Sequence, residues 1–196
     1  MRFHIGAVPK PESSEPQPGI WMPIRFDFEP MIAQLFAIPL GGIFFLIVGW
    51  SWIHFTPVMK NAVVNPAVLI VSMFILFPIH ELVHAFMHPD FGLSRKTVLG
   101  VWPLRLLFYA HYDGPRSRER LLASLVMPFL VISVLPLLIA IVTGHASILV
   151  AFVSSLNALG AGIDIFGIIL LLWQVPPRAN VFNQGWRTYW SRTISG

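Results

Sequence analysis

The sequence predicts an all-α membrane protein: four transmembrane helices, with a β-hairpin between the second and third that re-enters the membrane or lies on its surface. Three observations carry this. Of 196 residues, 56% are hydrophobic and only 11% charged, and the mean hydropathy is +0.72, a balance foreign to soluble domains. Four apolar runs, at about residues 31–52, 63–88, 121–142 and 147–173, are each long enough to cross roughly 30 Å of hydrocarbon. The cations are sorted by side: 12 of the 13 Lys and Arg fall in the segments before the first run, between the second and third, and after the fourth. Only Lys60 falls on the other side, so both termini are expected in the cytoplasm of a cell (inner or plasma) membrane protein.

Residues 1–30 hold six prolines and read as a poorly ordered or surface-lying cytoplasmic arm. The first span ends in Trp50 and Trp52, residues that suit the headgroup level. The second contains Pro78, which should kink it, and Pro89 should end it. In the long connection that follows, residues 97–111 are Val-, Leu- and aromatic-rich but broken by Gly100 and Pro103, which suggests the hairpin; a plain interfacial segment is the competing reading. The third span carries Pro128 and Pro136, and Gly144-His145 turns the chain into the fourth. Residues 174–196 read as a cytoplasmic tail resting on the membrane. This distribution of charge speaks for lipid as the partner and against nucleic acid.

The chemistry is concentrated in His80-Glu81-Leu82-Val83-His84, in the second half of the second span. Residues four apart share a helix face, so His80 and His84 can offer two imidazoles to one ion. Glu81, about 100° round the helix, can reach a water on that ion as general base. The absence of cysteine excludes thiolate ligands, so a third ligand must be His, Asp or Glu. His88 continues the stripe, but on a straight helix its Cα is about 12 Å from that of His80, too far to share one tetrahedral ion. Among carboxylates well inside the spans, only Glu81 and Asp164 qualify. His80 is about 12 Å from the cytoplasmic end of its helix and Asp164 about 13.5 Å from the end of its own, so the two are level. Asn157 and Gly160 share the Asp164 face; small residues there would let the second and fourth spans approach, and Asn157 reads equally as interhelical glue or as a catalytic group.

The motif on one span and an Asn-to-Asp segment on a later one resemble the site-2 protease group of intramembrane zinc metalloproteases, and most of all the small membrane proteins labelled "putative zincin peptidases". The likeness covers roughly residues 70 to 170. It implies Zn2+ held by His80, His84 and Asp164, Glu81 as base, Asn157 near the oxyanion or the substrate backbone, and a re-entrant hairpin after the motif-bearing span. The chain departs from the group's second motif: seven residues separate Asn157 from Asp164 instead of eight, no proline intervenes, and Ile165 follows Asp164 where glycine is usual.

The expected function is therefore a zinc-dependent metalloendopeptidase acting on transmembrane proteins or peptides. A catalytically silent zinc-binding scaffold or sensor, and a metal-free bundle forming a proton path or holding a haem, are the alternatives.

Overall fold

The computed structural model describes residues 1–9, 20–25, 30–58, 65–105 and 107–192. Helix forms where the sequence stays apolar over many turns, in α1 (Pro30–Phe55) and α2 (Pro66–Phe86). Asn65 starts α2 by accepting a hydrogen bond from the Ala67 amide at 2.9 Å, with Pro66 in the first turn. The helix runs on past Pro78 and stops at Phe86, short of the expected end. Asp90, Phe91 and Gly92 all take positive φ, so the chain turns sharply after Pro89 and His88 stands outside the helix.

The third apolar run is one path built from α3 (Arg118–Pro128), a π-helical segment (Phe129–Val134) and α4 (Leu135–Thr143). Ser117 caps its start by accepting from the Arg120 amide at 3.2 Å, and Gly144 ends it in the left-handed conformation. Pro136 has no amide hydrogen to give the α-helical ladder, and the ladder widens just before it.

The fourth run is not the single helix expected. It consists of α5 (Ile148–Gly160) and α6 (Gly162–Gln174), bent by 42° at the junction. A Cβ on Gly162 would lie 2.6 Å from the Ala37 carbonyl oxygen and 2.7 Å from the Gly41 nitrogen, so α1 crosses the bend in backbone-to-backbone contact. Gly160, expected to admit the second span, has open space beside it; the close approach is one glycine pair further on, to α1.

Counted this way, the described residues contain three helices long and apolar enough to cross a membrane, or four if the bent pair is one span. Exposure is inverted relative to a water-soluble protein. Leu35, Leu46, Phe74 and Trp173 face outward, while His84, Ser124, Ser133, Ser154, Asn157 and Asp164 are buried. Apolar surface outside and polar groups inside is the arrangement a lipid solvent demands.

Of the described residues 62% are helical, but the fold is not all-α. β1 (Arg2–Ile5) pairs parallel with β3 (Thr97–Trp102), which pairs antiparallel with β4 (Leu107–Tyr112). Strands β3 and β4 are joined through a tight turn at Pro103–Arg105 whose Leu104 is 94% exposed. A second, antiparallel sheet has the order β2-β7-β6-β5, from β2 (Met22–Pro23), β5 (Arg116–Ser117), β6 (Asn180–Gln184) and β7 (Arg187–Ser191). The segments expected to be a loose arm and a surface tail thus both contribute strands. Strands β6 and β7 form a local hairpin, but the pairings of β1 with β3, β2 with β7 and β5 with β6 are distant in sequence, and strands of two to five residues carry little local signal.

Candidate metal centre

His80 and His84 lie on one face of α2 with ring centroids 4.7 Å apart and planes at 72°. Asp164, in the first turn of α6, reaches both. Its Oδ2 is 3.1 Å from His80 Nε2 and its Oδ1 3.3 Å from His84 Nε2, while the two Nε2 atoms are 3.0 Å apart. The three sequence-predicted ligands therefore meet, although Asp164 is 80 positions from His84. Asp164 follows the Gly162 contact by two residues, so the crossing with α1 fixes its height.

The remote ring nitrogens decide which atoms carry hydrogen. His80 Nδ1 is 2.9 Å from Asn157 Oδ1, and His84 Nδ1 is 2.8 Å from the Ser124 carbonyl oxygen. A carbonyl oxygen only accepts, so each Nδ1 donates, and a neutral imidazole then has its lone pair on Nε2. Two lone pairs and a carboxylate converge, and a shared cation reconciles them. In tetrahedral zinc bound at about 2.0–2.1 Å, neighbouring ligand atoms are about 3.3 Å apart. Separations of 3.0 to 3.3 Å match that edge, so the donor set fits zinc.

Glu81 is placed differently. Its carboxylate lies within 4.8 Å of the ligand nitrogens of both histidines, and the Ala110 amide of β4 bears on it. Phe108 of the same strand stacks on Phe77 of α2, centroids 6.1 Å apart, which seats β4 along the helix at the level of the site.

Asn157 is 1% exposed and both its amide hydrogens are used within the protein. Oδ1 accepts from His80, and Nδ2 donates to the Pro128 carbonyl oxygen at 3.1 Å and to Ser133 Oγ at 2.9 Å. Reaching a reacting oxyanion would require breaking one of these bonds. Ser124, Ser133 and Ala110 were not singled out from the sequence. Ser124 and Ala110 act through their backbones, which residue type does not reveal, but a lone Ser133 in the apolar run 129–142 was a readable signal.

A second histidine group lies just beyond α2. His88 is 3% exposed, with its ring 5.5 Å from that of Tyr112; His111 of β4 and Arg116 of β5 are also buried. Burial, with Arg116 nearby, pushes His88 down to about 3 and His111 to about 4. Burial also lowers the Arg116 guanidinium to about 10. Both imidazoles are neutral at pH 7, and neither belongs to the group of ligand atoms at the centre.

The model of the family described as "Putative zincin peptidase" matches residues 73–180, more than half of the chain. The chain belongs to this family. No curated protein and no solved structure matches it. The family match spans the His-Glu-x-x-His motif, both strands of the hairpin, Asn157 and Asp164, and it leaves out α1 and the strands of the arm.

Proposed function

We propose that this protein is an intramembrane zinc metalloprotease that hydrolyses peptide bonds of membrane-embedded substrates. The observation that carries the reading is the convergence of His80 Nε2, His84 Nε2 and Asp164 at zinc-like spacing on apolar helices, with Glu81 beside them. Family membership supports zinc peptidase chemistry, and the apolar helices support the membrane setting.

His80, His84 and Asp164 would hold the metal. Bound there, zinc supplies a water acidified toward neutrality and a positive charge beside the scissile carbonyl. Glu81, beside the two imidazoles, would serve as the base that accepts a proton from a water at the centre and passes it to the leaving amine. Asn157 and the Ser124 carbonyl hold the two imidazoles with Nε2 turned to the centre. A helical substrate hides its carbonyls in hydrogen bonds and must be locally extended before attack. In the three-stranded sheet β1 covers one side of β3, and the edge of β4 runs past Glu81, so an extended segment added to β4 would bring its backbone to the base. In this reading the 97–112 hairpin re-enters the membrane, four spans place both termini in the cytoplasm, and Lys60 lies outside.

The test is zinc content together with cleavage of a transmembrane substrate in detergent or vesicles. Purified protein should carry one equivalent of zinc, and Glu81→Gln should keep the metal while losing at least about a hundredfold in cleavage rate. A Gln variant that still cuts at full rate removes Glu81 from its role. Wild-type protein that binds zinc but cleaves nothing indicates a silent zinc-binding scaffold.

A further inference from the structure

The structure assigns Ser133 as a positioning residue: through Asn157 it fixes the tautomer in which His80 faces the metal centre. This rests on the zinc reading above for its consequence, but its structural content is independent of zinc.

Ser133 Oγ donates to the Ser154 carbonyl oxygen at 2.7 Å, so its lone pair is what meets Asn157 Nδ2 at 2.9 Å. The other amide hydrogen of Asn157 goes to the Pro128 carbonyl oxygen at 3.1 Å. Both partners demand a donor, so the amide group must present NH2 to them and Oδ1 to His80. His80 Nδ1 must then carry the hydrogen, and Nε2 is left as a ligand. With the amide reversed, Nδ2 would face Nδ1, the imidazole hydrogen would move to Nε2, and the ligand atom would be blocked.

The chain is anchored at its far end. Ser154 Oγ donates to the Ser133 carbonyl oxygen at 2.9 Å and accepts from Trp52 Nε1 at 2.9 Å, so the pair of serines is locked reciprocally and tied to α1. Ser133 and Ser154 are 0% exposed, Asn157 1% and Trp52 2%, so water does not compete for these groups. Pro128 and Ser133 flank and occupy the π-helical segment, and that local widening is what offers both acceptors to one amide. The two metal-facing histidines are therefore held unequally. His84 leans on a backbone carbonyl, which no substitution removes, whereas His80 depends on the side chain of Asn157, itself oriented by Ser133 Oγ together with the Pro128 carbonyl.

The experiment is a double-mutant cycle of Ser133→Ala and Asn157→Ala on the full-length protein. It has two readouts: zinc affinity by chelator competition, and the His80 tautomer in metal-free protein from imidazole nitrogen resonances, assigned with His80→Ala. Ser133→Ala alone should weaken zinc about tenfold and populate the Nε2–H tautomer. Asn157→Ala should weaken it by about ten- to a hundredfold, and adding Ser133→Ala to it should change nothing further. Additive losses, or a Ser133→Ala variant with unchanged tautomer and affinity, overturn the assignment. Should the alanine variant not accumulate, Ser133→Cys, similar in volume but a weak acceptor, carries the same expectations. A wild type that binds no zinc defeats the protease reading instead, and the tautomer measurement still decides this one.

Discussion

Two histidine groups follow one another along the same stretch of chain, and they are finished differently. At His80 and His84 every ring nitrogen has a partner: Asn157, Ser124, Asp164 and each other. At His88, one helical turn on, and at His111 and Arg116, which β4 and β5 bring beside it, His88 Nδ1, His111 Nε2 and Arg116 Nε and Nη1 are buried with no protein partner. The first group is directional, each bond fixing the next, and lone pairs remain aimed at one point. The second is a cationic guanidinium among imidazoles that burial holds neutral. Helical rise keeps His88 away from His80, yet the i, i+4 step from His84 to His88 would by itself admit a second pair. The difference lies in the acceptors supplied by other helices, since acceptors on the remote nitrogens leave the Nε2 lone pairs of His80 and His84 aimed at one point.

The sharpest way to break the contrast is to remove Asp164. Asp164→Asn should abolish stoichiometric zinc at micromolar protein, a loss of at least about a hundredfold in affinity, whereas His88→Asn should leave one equivalent bound; metal analysis of both variants checks this. Loss of zinc in the His88 variant would make the two groups one.

Next in size is Gly162→Ala. Its Cβ would fall on the Ala37 and Gly41 backbone, so α1 must move away from the bend and take the height of Asp164 with it. We expect a loss of about 2–3 kcal/mol in stability and weaker zinc, read by thermal melting and chelator competition.

Acid should then expose the second group. Above pH 6.5 His88 is neutral both folded and unfolded and contributes nothing. As pH falls below 6.5 the unfolded chain takes up a proton that the folded one refuses, so stability is lost progressively until about pH 3 for His88 and about pH 4 for His111. At pH 5 this amounts to about 2 kcal/mol for each histidine. Melting metal-free protein at pH 7.5 and 5 isolates the effect from loss of zinc, and His111→Asn should flatten the dependence.

The smallest effect is local. Ser117→Ala removes the cap of α3, outside both groups, and should cost about 1 kcal/mol with zinc binding unchanged.

What could be read from the sequence was whatever periodicity controls: the i, i+4 spacing of His80 and His84 fixes their common face. The depth count that paired Asp164 with them assumed helix ends at His88 and Trp173, whereas the helices end at Phe86 and Gln174 and the fourth run bends. The meeting is made by the crossing with α1 and not by equal depth. The exclusion of His88 also followed from helical rise, though the structure adds a second reason, since the helix ends before it. What escaped was decided between distant segments. Gly160-Ala161-Gly162 reads equally as a seam or as a bend, and the choice is made by Gly41 of α1. Strand β1 exists because β3 has an edge free to receive it, and the place of Asn157 depends on the π-helical widening around Ser133.

The pairing of β1 with residues 98–101 also orders events during synthesis. At roughly 5–20 residues per second, β1 waits several seconds after leaving the ribosome before its partner strand is made. Through that interval it is a short extended stretch without a sheet, available to chaperones or to lipid. Docking it afterwards closes a loop spanning nearly half the polypeptide, so this sheet should be among the later features to form and among the first to open under stress.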